Sequence, residues 1–290
     1  MADMTDGPRG VWRWWPLRLF VFFVVTLAVY IGCQIGTQEL PKRLPHFSAS
    51  AVQVALSVVG ALVVVLVYRL LVRWTERRDA VELSITGAIG GFLRGALIGV
   101  ALFCAVFALL WAGGIATFSG LGSTRDLVAV FTVSLLAGFG EEIALRGGVF
   151  RLLEEGFGTL VALLISGVLF GLMHAPNPGA TVVSTLAIAL EAGIMLSAAY
   201  AMTRSLWLAI GLHFAWNFTE GGIFGAAVSG GKPSGLLKTQ LSGSPLLTGG
   251  EFGPEASVVA VAVCAVLALV MIAMTIRRGN WKPMLFRLKT

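Results

Sequence analysis

Long apolar segments constrain most strongly how this chain can fold. A helix that crosses a bilayer needs about 20 mostly apolar residues, and eight segments meet that requirement. They lie near residues 17–37, 49–71, 95–118, 127–152, 158–175, 179–202, 205–224 and 256–276. Of the 290 residues 57% are hydrophobic and 12% charged, whereas globular domains are about 25% charged. We predict one all-α, polytopic membrane domain over residues 1–290, with about eight transmembrane helices.

The distribution of Lys and Arg predicts the orientation, because cytoplasmic connections collect these residues. With the N-terminus inside, 15 of the 21 basic residues fall on the cytoplasmic side and 5 outside, leaving Arg146 at depth. The inner set is Arg9, Arg13, Arg18, Arg69, Arg73, Arg77, Arg78, Arg94, Arg151, Arg204, Arg277, Arg278, Lys282, Arg287 and Lys289, and the outer set is Lys42, Arg43, Arg125, Lys232 and Lys238. Both termini are therefore predicted to be cytoplasmic. Aromatic residues are not interleaved with the basic ones as in a nucleic-acid groove, so no nucleic-acid partner is predicted.

One extended connection lies near the C-terminal end. Residues 225–254 are rich in Gly, Ser and Pro. Such a composition favours a flexible outer loop over a substrate-gating lid.

Ionisable residues inside the apolar segments point to a function. Glu141, Glu142 and Arg146 lie within the fourth segment, and each costs roughly 2.5–3.5 kcal/mol or more at the centre of a bilayer. Further polar residues follow in the next three segments: His174, Glu191, His213 and Asn217. Glu191 has no assignable motif role, and pairing with an Arg or lining a cavity are equally open to it.

Helical spacing predicts which of these residues can meet. Residues four apart share a helix face, so Glu142 can reach Arg146, and His213 and Asn217 point the same way. Glu141 lies about 100° from Glu142 and is assigned a separate role. Glu141 and His174 are 16 and 17 residues from Phe157 in the turn between their helices, so each lies about 25 Å from that turn.

They can therefore face each other across an antiparallel hairpin. The spacing Gly167-x-x-x-Gly171 predicts close helix packing, and we expect this packing to seat His174 against the Glu141 helix.

Two hydrolytic chemistries fit these residues. Glu141, His174 and His213 could hold zinc with an open coordination position. Alternatively, Glu141 takes a proton from water with the help of His174, while His213 and Asn217 stabilise an oxyanion without a metal. The familiar His-Glu-x-x-His zinc spacing is absent, and Asn is a poor zinc ligand but a good hydrogen-bond donor. The metal-free route is preferred, and zinc remains the alternative.

The motifs resemble those of a known family. Glu141-Glu142-x-x-x-Arg146, Phe170-x-x-x-His174 and His213-x-x-x-Asn217, in this order, are similar to the motifs of the CPBP family of CAAX-protease and bacteriocin-processing (Abi) intramembrane proteases. The resemblance covers about residues 125–220. It implies an eight-helix membrane endopeptidase in which Glu141 is the general base, His174 its partner, His213 and Asn217 the oxyanion stabilisers, and Glu142 with Arg146 the supporting ion pair.

The predicted function is thus an intramembrane endopeptidase of a bacterial or archaeal cell membrane. Its expected partner is a membrane-associated protein or peptide, including the prenylated CAAX type. A catalytically silent scaffold or bacteriocin-immunity factor and a transporter stay open as alternatives; intact motifs argue against the first, and the lack of an internal repeat argues against the second. The resemblance favours a cytoplasmic opening of the site, whereas His174 lies near the predicted outer end of its helix.

Overall fold

The computed structural model describes residues 7–44 and 46–284, and long helices make up most of this part of the chain. Where the apolar segments are predicted, eight long helical elements lie in chain order. They are α1 (Trp15–Glu39), α2 (Ala49–Thr75), α3 (Ala88–Ala112), α4 (Arg125–Glu142, continuing through a π-helical segment Ile143–Phe150 into Arg151–Phe157), α5 (Thr159–His174), α6 (Val182–Ile188, π-helical Ala189–Ile194 and Met195–Thr203), α7 (Leu206–Asn217 with π-helical Phe218–Ile223) and α8 (Val258–Arg277).

Short elements occupy the connections. Single 3₁₀ turns lie at Gly10–Arg13, Leu40–Arg43, Val81–Leu83 and Pro254–Ala256, and a four-residue helix lies at Pro245–Thr248. Two strands, β1 (Ala116–Leu121) and β2 (Leu237–Leu241), complete the elements.

Six helices in the described part of the chain are long and apolar enough to cross a membrane. These are α1, α2, α3, α4, α6 and α8, whereas α5 has only 16 residues and the α-helical part of α7 only 12. The protein is therefore a mostly helical, polytopic membrane protein, as predicted. The count of eight spans and the cytoplasmic termini stay predictions.

The third predicted span differs from the structure in its bounds. The sequence predicts a helix over 95–118, but α3 begins at Ala88 and ends at Ala112. Gly113 and Gly114 end it, and Gly114 has a φ of +70°, a left-handed conformation that glycine adopts without strain. The next residues form β1, which pairs antiparallel with β2; Ala116 lies opposite Leu241 and Leu121 opposite Leu237. A small sheet is thus added to the predicted all-α architecture.

The segment predicted as a flexible outer loop, 225–254, contains β2 and the helix Pro245–Thr248. Gly230 N–H donates to Phe252 O at 2.7 Å, which joins the two ends of this segment. The flexibility assigned to it stays a prediction.

The connections lie at two opposite ends of the bundle. The sheet end comprises residues 40–44, 46–48, 113–124, 175–181 and 224–257; β1 pairs with β2 there, and Asn177 Nδ2 donates to Ser229 O at 3.0 Å. The basic end comprises residues 76–87, 151–158, 204–205 and 278–284. Arg151 pairs with Glu76 at 2.7 Å at that end, and Arg204 pairs with Glu154.

Small residues set the closest helix contacts. A Cβ added to Gly95 of α3 would lie 2.1 Å from Leu208 O of α7, so these two backbones touch. The Gly167 and Gly171 pair also faces a neighbouring backbone, but that of α6: a Cβ on Gly171 would lie 2.4 Å from Thr185 O. The prediction that this pair seats α5 against the Glu141 helix was wrong, because small-residue spacing specifies close packing and not its partner.

Candidate active site

The predicted pair of glutamates lies where α4 changes its helical geometry. Glu141 and Glu142 are the last residues of the regular α-helix, and the π-helical segment begins at Ile143. Glu141 is 9% exposed, whereas Glu142 and Arg146 are fully buried. Single π-helical turns inside α-helices occur frequently at functional sites.

The guanidinium of Arg146 has hydrogen-bond partners on both α4 and α6. It donates to Glu142 Oε1 at 2.9 Å, to the carbonyls of Ala192 and Gly193 at 3.0 and 2.9 Å, and to Ser197 Oγ at 3.2 Å. The carbonyls belong to the π-helical segment of α6, where the opened backbone turns oxygens towards the cation. The predicted Glu142–Arg146 pair therefore fixes α4 against α6.

Glu142 has a second partner that the sequence does not reveal. His213 Nδ1 lies 2.9 Å from the same Glu142 Oε1 that binds Arg146. A carboxylate only accepts, so Nδ1 of His213 carries the hydrogen and the ring orientation is set by Glu142. Glu142 is thus more than the partner of Arg146, because it also positions one of the predicted site histidines.

Glu141 faces His174, as the residue count along the hairpin predicts. Glu141 Oε2 and His174 Nε2 are 3.9 Å apart. His174 Nδ1 lies 2.8 Å from Phe170 O, and a carbonyl only accepts, so the hydrogen of the neutral ring is on Nδ1. The ring also stacks on Phe170 at 4.7 Å between centroids. Nε2 therefore presents a lone pair towards the carboxylate, and two acceptors face each other.

Tyr30 of α1 is a site residue that sequence reasoning missed. Its hydroxyl donates to Glu141 Oε1 at 3.0 Å and accepts from Gln34 Nε2 at 3.2 Å. A Cβ on Gly140 would lie 2.3 Å from the Tyr30 ring, so the glycine before the glutamate pair admits this ring. The available signal is a polar Tyr and Gln four residues apart inside the first apolar segment.

One large cavity is lined by Tyr30, Glu141, His174 and His213. It has a volume of about 720 Å³, within the usual range of roughly 300–1,000 Å³ for ligand sites, and Asn217 also lines it. Among the described residues no hydrogen bond is made by the Asn217 amide, so its donors are available. Apolar residues of α1 and α4 form a wall of the cavity, including Leu27, Ile31, Val130 and Val133.

A second, smaller cavity of about 20 Å³ lies behind the two histidines. Glu191 and Glu255 both line it; Glu191 Oε1 accepts from Cys264 Sγ at 3.8 Å, and Glu255 Oε1 accepts from Ser229 N and Oγ at 2.7 and 2.8 Å. Burial raises the pKa of Glu255. Of the two readings open for Glu191, lining a cavity is the one observed.

Glu220 and Glu255 were not predicted as site residues. Both are buried, Glu220 completely and Glu255 at 3% exposure. The signal for Glu220 is a charge three residues after Asn217 in the seventh apolar segment, and for Glu255 a charge just before the last one.

The donor set does not fit a metal ion in this arrangement. Within residues 7–44 and 46–284, no group of three or more His, Cys, Asp or Glu side chains is placed to hold one. Glu141, His174 and His213, the residues of the zinc alternative, form no such group in this part of the chain.

The comparisons with known proteins point to one family. Residues 123–219 match the family model described as type II CAAX prenyl endopeptidase Rce1-like. The match runs from the start of α4 into the π-helical end of α7 and contains Glu141, His174, His213 and Asn217. No curated protein and no solved structure matches the chain significantly.

Proposed function

We propose that this protein is an endopeptidase of the CAAX-type intramembrane proteases that uses a glutamate-activated water, as the match of residues 123–219 to the Rce1-like family model supports. The observation that carries the proposal is the pairing of Glu141 Oε2 with His174 Nε2 at 3.9 Å, on the wall of the large cavity. Two acceptors at this separation can both receive a hydrogen bond from one water molecule placed between them.

Glu141 is the general base. Its carboxylate takes a proton from the water as the water oxygen attacks the scissile carbonyl carbon. Nε2 of His174 accepts the second hydrogen of that water and so orients its lone pair towards the carbon. Tyr30 fixes the carboxylate through Oε1, which leaves Oε2 facing the water position.

His213 and Asn217 stabilise the oxyanion. They are four residues apart on α7, both line the cavity, and the Asn217 amide has two N–H donors. Nε2 of His213 donates only when the ring carries both protons, and the Glu142 carboxylate on Nδ1 is the partner that such an imidazolium requires. Donors aimed at the developing charge are typically worth about 10²–10³ in kcat each.

The cycle closes without a further reactant. Glu141 returns the proton to the nitrogen of the leaving amine, the carbon–nitrogen bond breaks, and the oxyanion collapses to a carboxylic acid that loses its proton to solvent. Every group in this sequence belongs to the chain or to water, and no step is routed through a metal.

The substrate is a membrane-associated protein or peptide, and the family description names the prenylated CAAX type. The apolar wall formed by α1 and α4 suits either a lipid-modified chain or an apolar peptide segment. Ile31 and Val133 are 46% and 44% exposed, so this wall borders the lipid between the two helices. We assign the protein to a bacterial or archaeal cell membrane.

The test is cleavage by the protein purified in detergent. A panel of quenched peptides, some prenylated and some transmembrane, is incubated with wild type, Glu141→Gln and His174→Ala. We expect wild type to cleave at least one peptide, Glu141→Gln to be inactive, and His174→Ala to be strongly impaired. An inactive wild type across the panel favours the scaffold or immunity role, and an active Glu141→Gln removes Glu141 from the mechanism.

Chelator treatment and elemental analysis of the same sample test the metal-free route. We expect activity to survive chelation with no stoichiometric zinc. Loss of activity on chelation, restored by zinc, would replace this mechanism with the metal-dependent one.

A further inference from the structure

We propose that the active-site cavity opens to the extracytoplasmic side of the membrane, so that the substrate is a polypeptide segment presented from that side. The inference rests on the proposed function for its substrate and on geometry and charge for its direction. The substrate class of an outward-facing cavity is translocated peptides and the outer ends of membrane-spanning segments.

The lining of the cavity comes from one end of the bundle. Asn177 and Pro178 belong to the connection after α5, and Val228 to Lys232 belong to the connection after α7. Both connections are at the sheet end, where Asn177 Nδ2 donates to Ser229 O. None of the residues that line the cavity belongs to the basic end.

The basic end is closed by ion pairs and hydrogen bonds. Arg151 contacts Glu76 and Glu155 at 2.7 and 3.0 Å, and Lys282 lies 3.4 Å from Glu154. The backbone N–H of Thr159 donates to Lys282 O at 3.0 Å, which ties the α4–α5 turn to the segment after α8. A substrate can therefore reach Glu141 from the sheet end or from the lipid beside that end.

Charge assigns the basic end to the cytoplasm. Of the 19 Lys and Arg residues within 7–44 and 46–284, the basic end and the adjoining segments carry 13, and the sheet end with its adjoining helix ends carries 5. This asymmetry is the signature by which membrane proteins are oriented, cytoplasmic ends being the basic ones. The sheet end, and with it the cavity, then faces outward.

A lateral route is consistent with this direction. Leu27 and Ile31 of α1 and Val130 and Val133 of α4 line the cavity, and α4 begins at the sheet end. The part of the cavity that these two helices line therefore lies in the half of the bilayer nearer the sheet end. A prenylated protein at the cytoplasmic surface meets the opposite, closed end of the bundle.

Cysteine labelling tests the direction without relying on activity. Lys232 at the rim of the cavity and Asp79 at the basic end are both exposed, and Lys232→Cys and Asp79→Cys form a matched pair. In right-side-out vesicles we expect a membrane-impermeant maleimide to label Lys232→Cys directly and Asp79→Cys only after permeabilisation. Wild type, with Cys33, Cys104 and Cys264, gives the background. The reverse pattern overturns the proposal.

Cleavage from each face tests the substrate class. An impermeant quenched peptide that the detergent-solubilised protein cleaves is added to right-side-out and to inverted vesicles, with Glu141→Gln vesicles as the blank. We expect cleavage in the right-side-out preparation alone, and cleavage confined to inverted vesicles overturns the proposal. If no peptide is cleaved even in detergent, the proposed function fails, and the labelling result still decides the direction.

Discussion

The hydroxyl of Tyr30 donates a hydrogen bond of 3.0 Å to Glu141 Oε1, from a helix that lies outside the matched segment 123–219. The candidate base is thus oriented by α1 as well as by its own helix. Because Tyr30 takes Oε1, the other oxygen of Glu141 is the one that faces His174.

Replacing Tyr30 by Phe is expected to lower kcat/KM by about 10- to 100-fold. The change removes one hydrogen bond to a carboxylate, and such bonds are worth about 1.5–3 kcal/mol. Steady-state kinetics in detergent measure the effect. Tyr200→Phe is the control, since Tyr200 is buried but does not line the cavity. Equal losses in both variants would mean that the phenol matters for packing and not for Glu141.

Glu141→Gln is expected to lose activity, and Glu142→Gln is expected to lose stability. Glu142 neutralises the fully buried Arg146 and accepts from His213, so its loss leaves a buried cation without its counter-ion and should destabilise the fold by about 3–5 kcal/mol. Glu141 has no such cation, and its variant should stay folded but inactive. Thermal unfolding in detergent, beside the activity assay, separates the two. A Glu142→Gln protein as stable as wild type would contradict the structural role.

The pairing of Glu141 with His174 could be predicted from residue counts because α4 and α5 are long helices joined by a tight turn. The contacts of Tyr30 and of Glu142 with His213 could not, because they depend on which helices are neighbours, and apolar periodicity in lipid does not specify neighbours. The same limit explains the wrong partner for Gly167 and Gly171.

The π-helical segments also could not be predicted from the sequence. Each contains one buried charged side chain, Arg146, Glu191 or Glu220. A π-helical turn changes the angular position of every later residue relative to a regular helix, so positions counted along an ideal helix drift beyond it. This is why the direction in which Glu220 points could not be counted from Asn217 along a regular helix.

Asn217→Ala is expected to lower kcat by about 10²- to 10³-fold with little change in KM, because an oxyanion donor acts in the transition state. The Asn217 amide makes no hydrogen bond to any residue that the structure describes, so its removal costs little stability. Asn280→Ala is the control; that amide donates to Met202 O at the basic end. An increase in KM with kcat unchanged would assign Asn217 to substrate binding instead.

Glu255→Gln is expected to raise the melting temperature, and more so at higher pH. Burial raises the pKa of Glu255 above its usual 4.5, so the native state favours the neutral carboxyl. That contribution to stability is complete below the unfolded value and is lost as pH rises through the native pKa. Gln keeps the oxygen that accepts from Ser229 and does not ionise.

Melting curves of both proteins between pH 5 and 8 measure this difference. Glu251→Gln, at an exposed position in the same segment, should leave the melting temperature unchanged across the range. A constant difference between Glu255→Gln and wild type at all pH values would contradict the ionisation argument.

Gly95→Ala is expected to lower activity by about 10²-fold although Gly95 does not line either cavity. An added Cβ would lie 2.1 Å from Leu208 O, so α3 and α7 must separate, and α7 carries His213 and Asn217. Overpacking of this kind typically costs about 1–3 kcal/mol, and a displacement of about 1 Å at a catalytic group can cost about 10²-fold in rate.

Gly90→Ala is the matched control on the same helix. Its added Cβ would meet only the Arg94 guanidinium at 3.5 Å, an ordinary contact, so stability and activity should equal or slightly exceed those of wild type. Activity and melting temperature of the two variants, measured together, test whether the spacing between α3 and α7 sets the positions of His213 and Asn217. If Gly95→Ala is as active as wild type, these two side chains tolerate the displacement and their placement does not depend on α3.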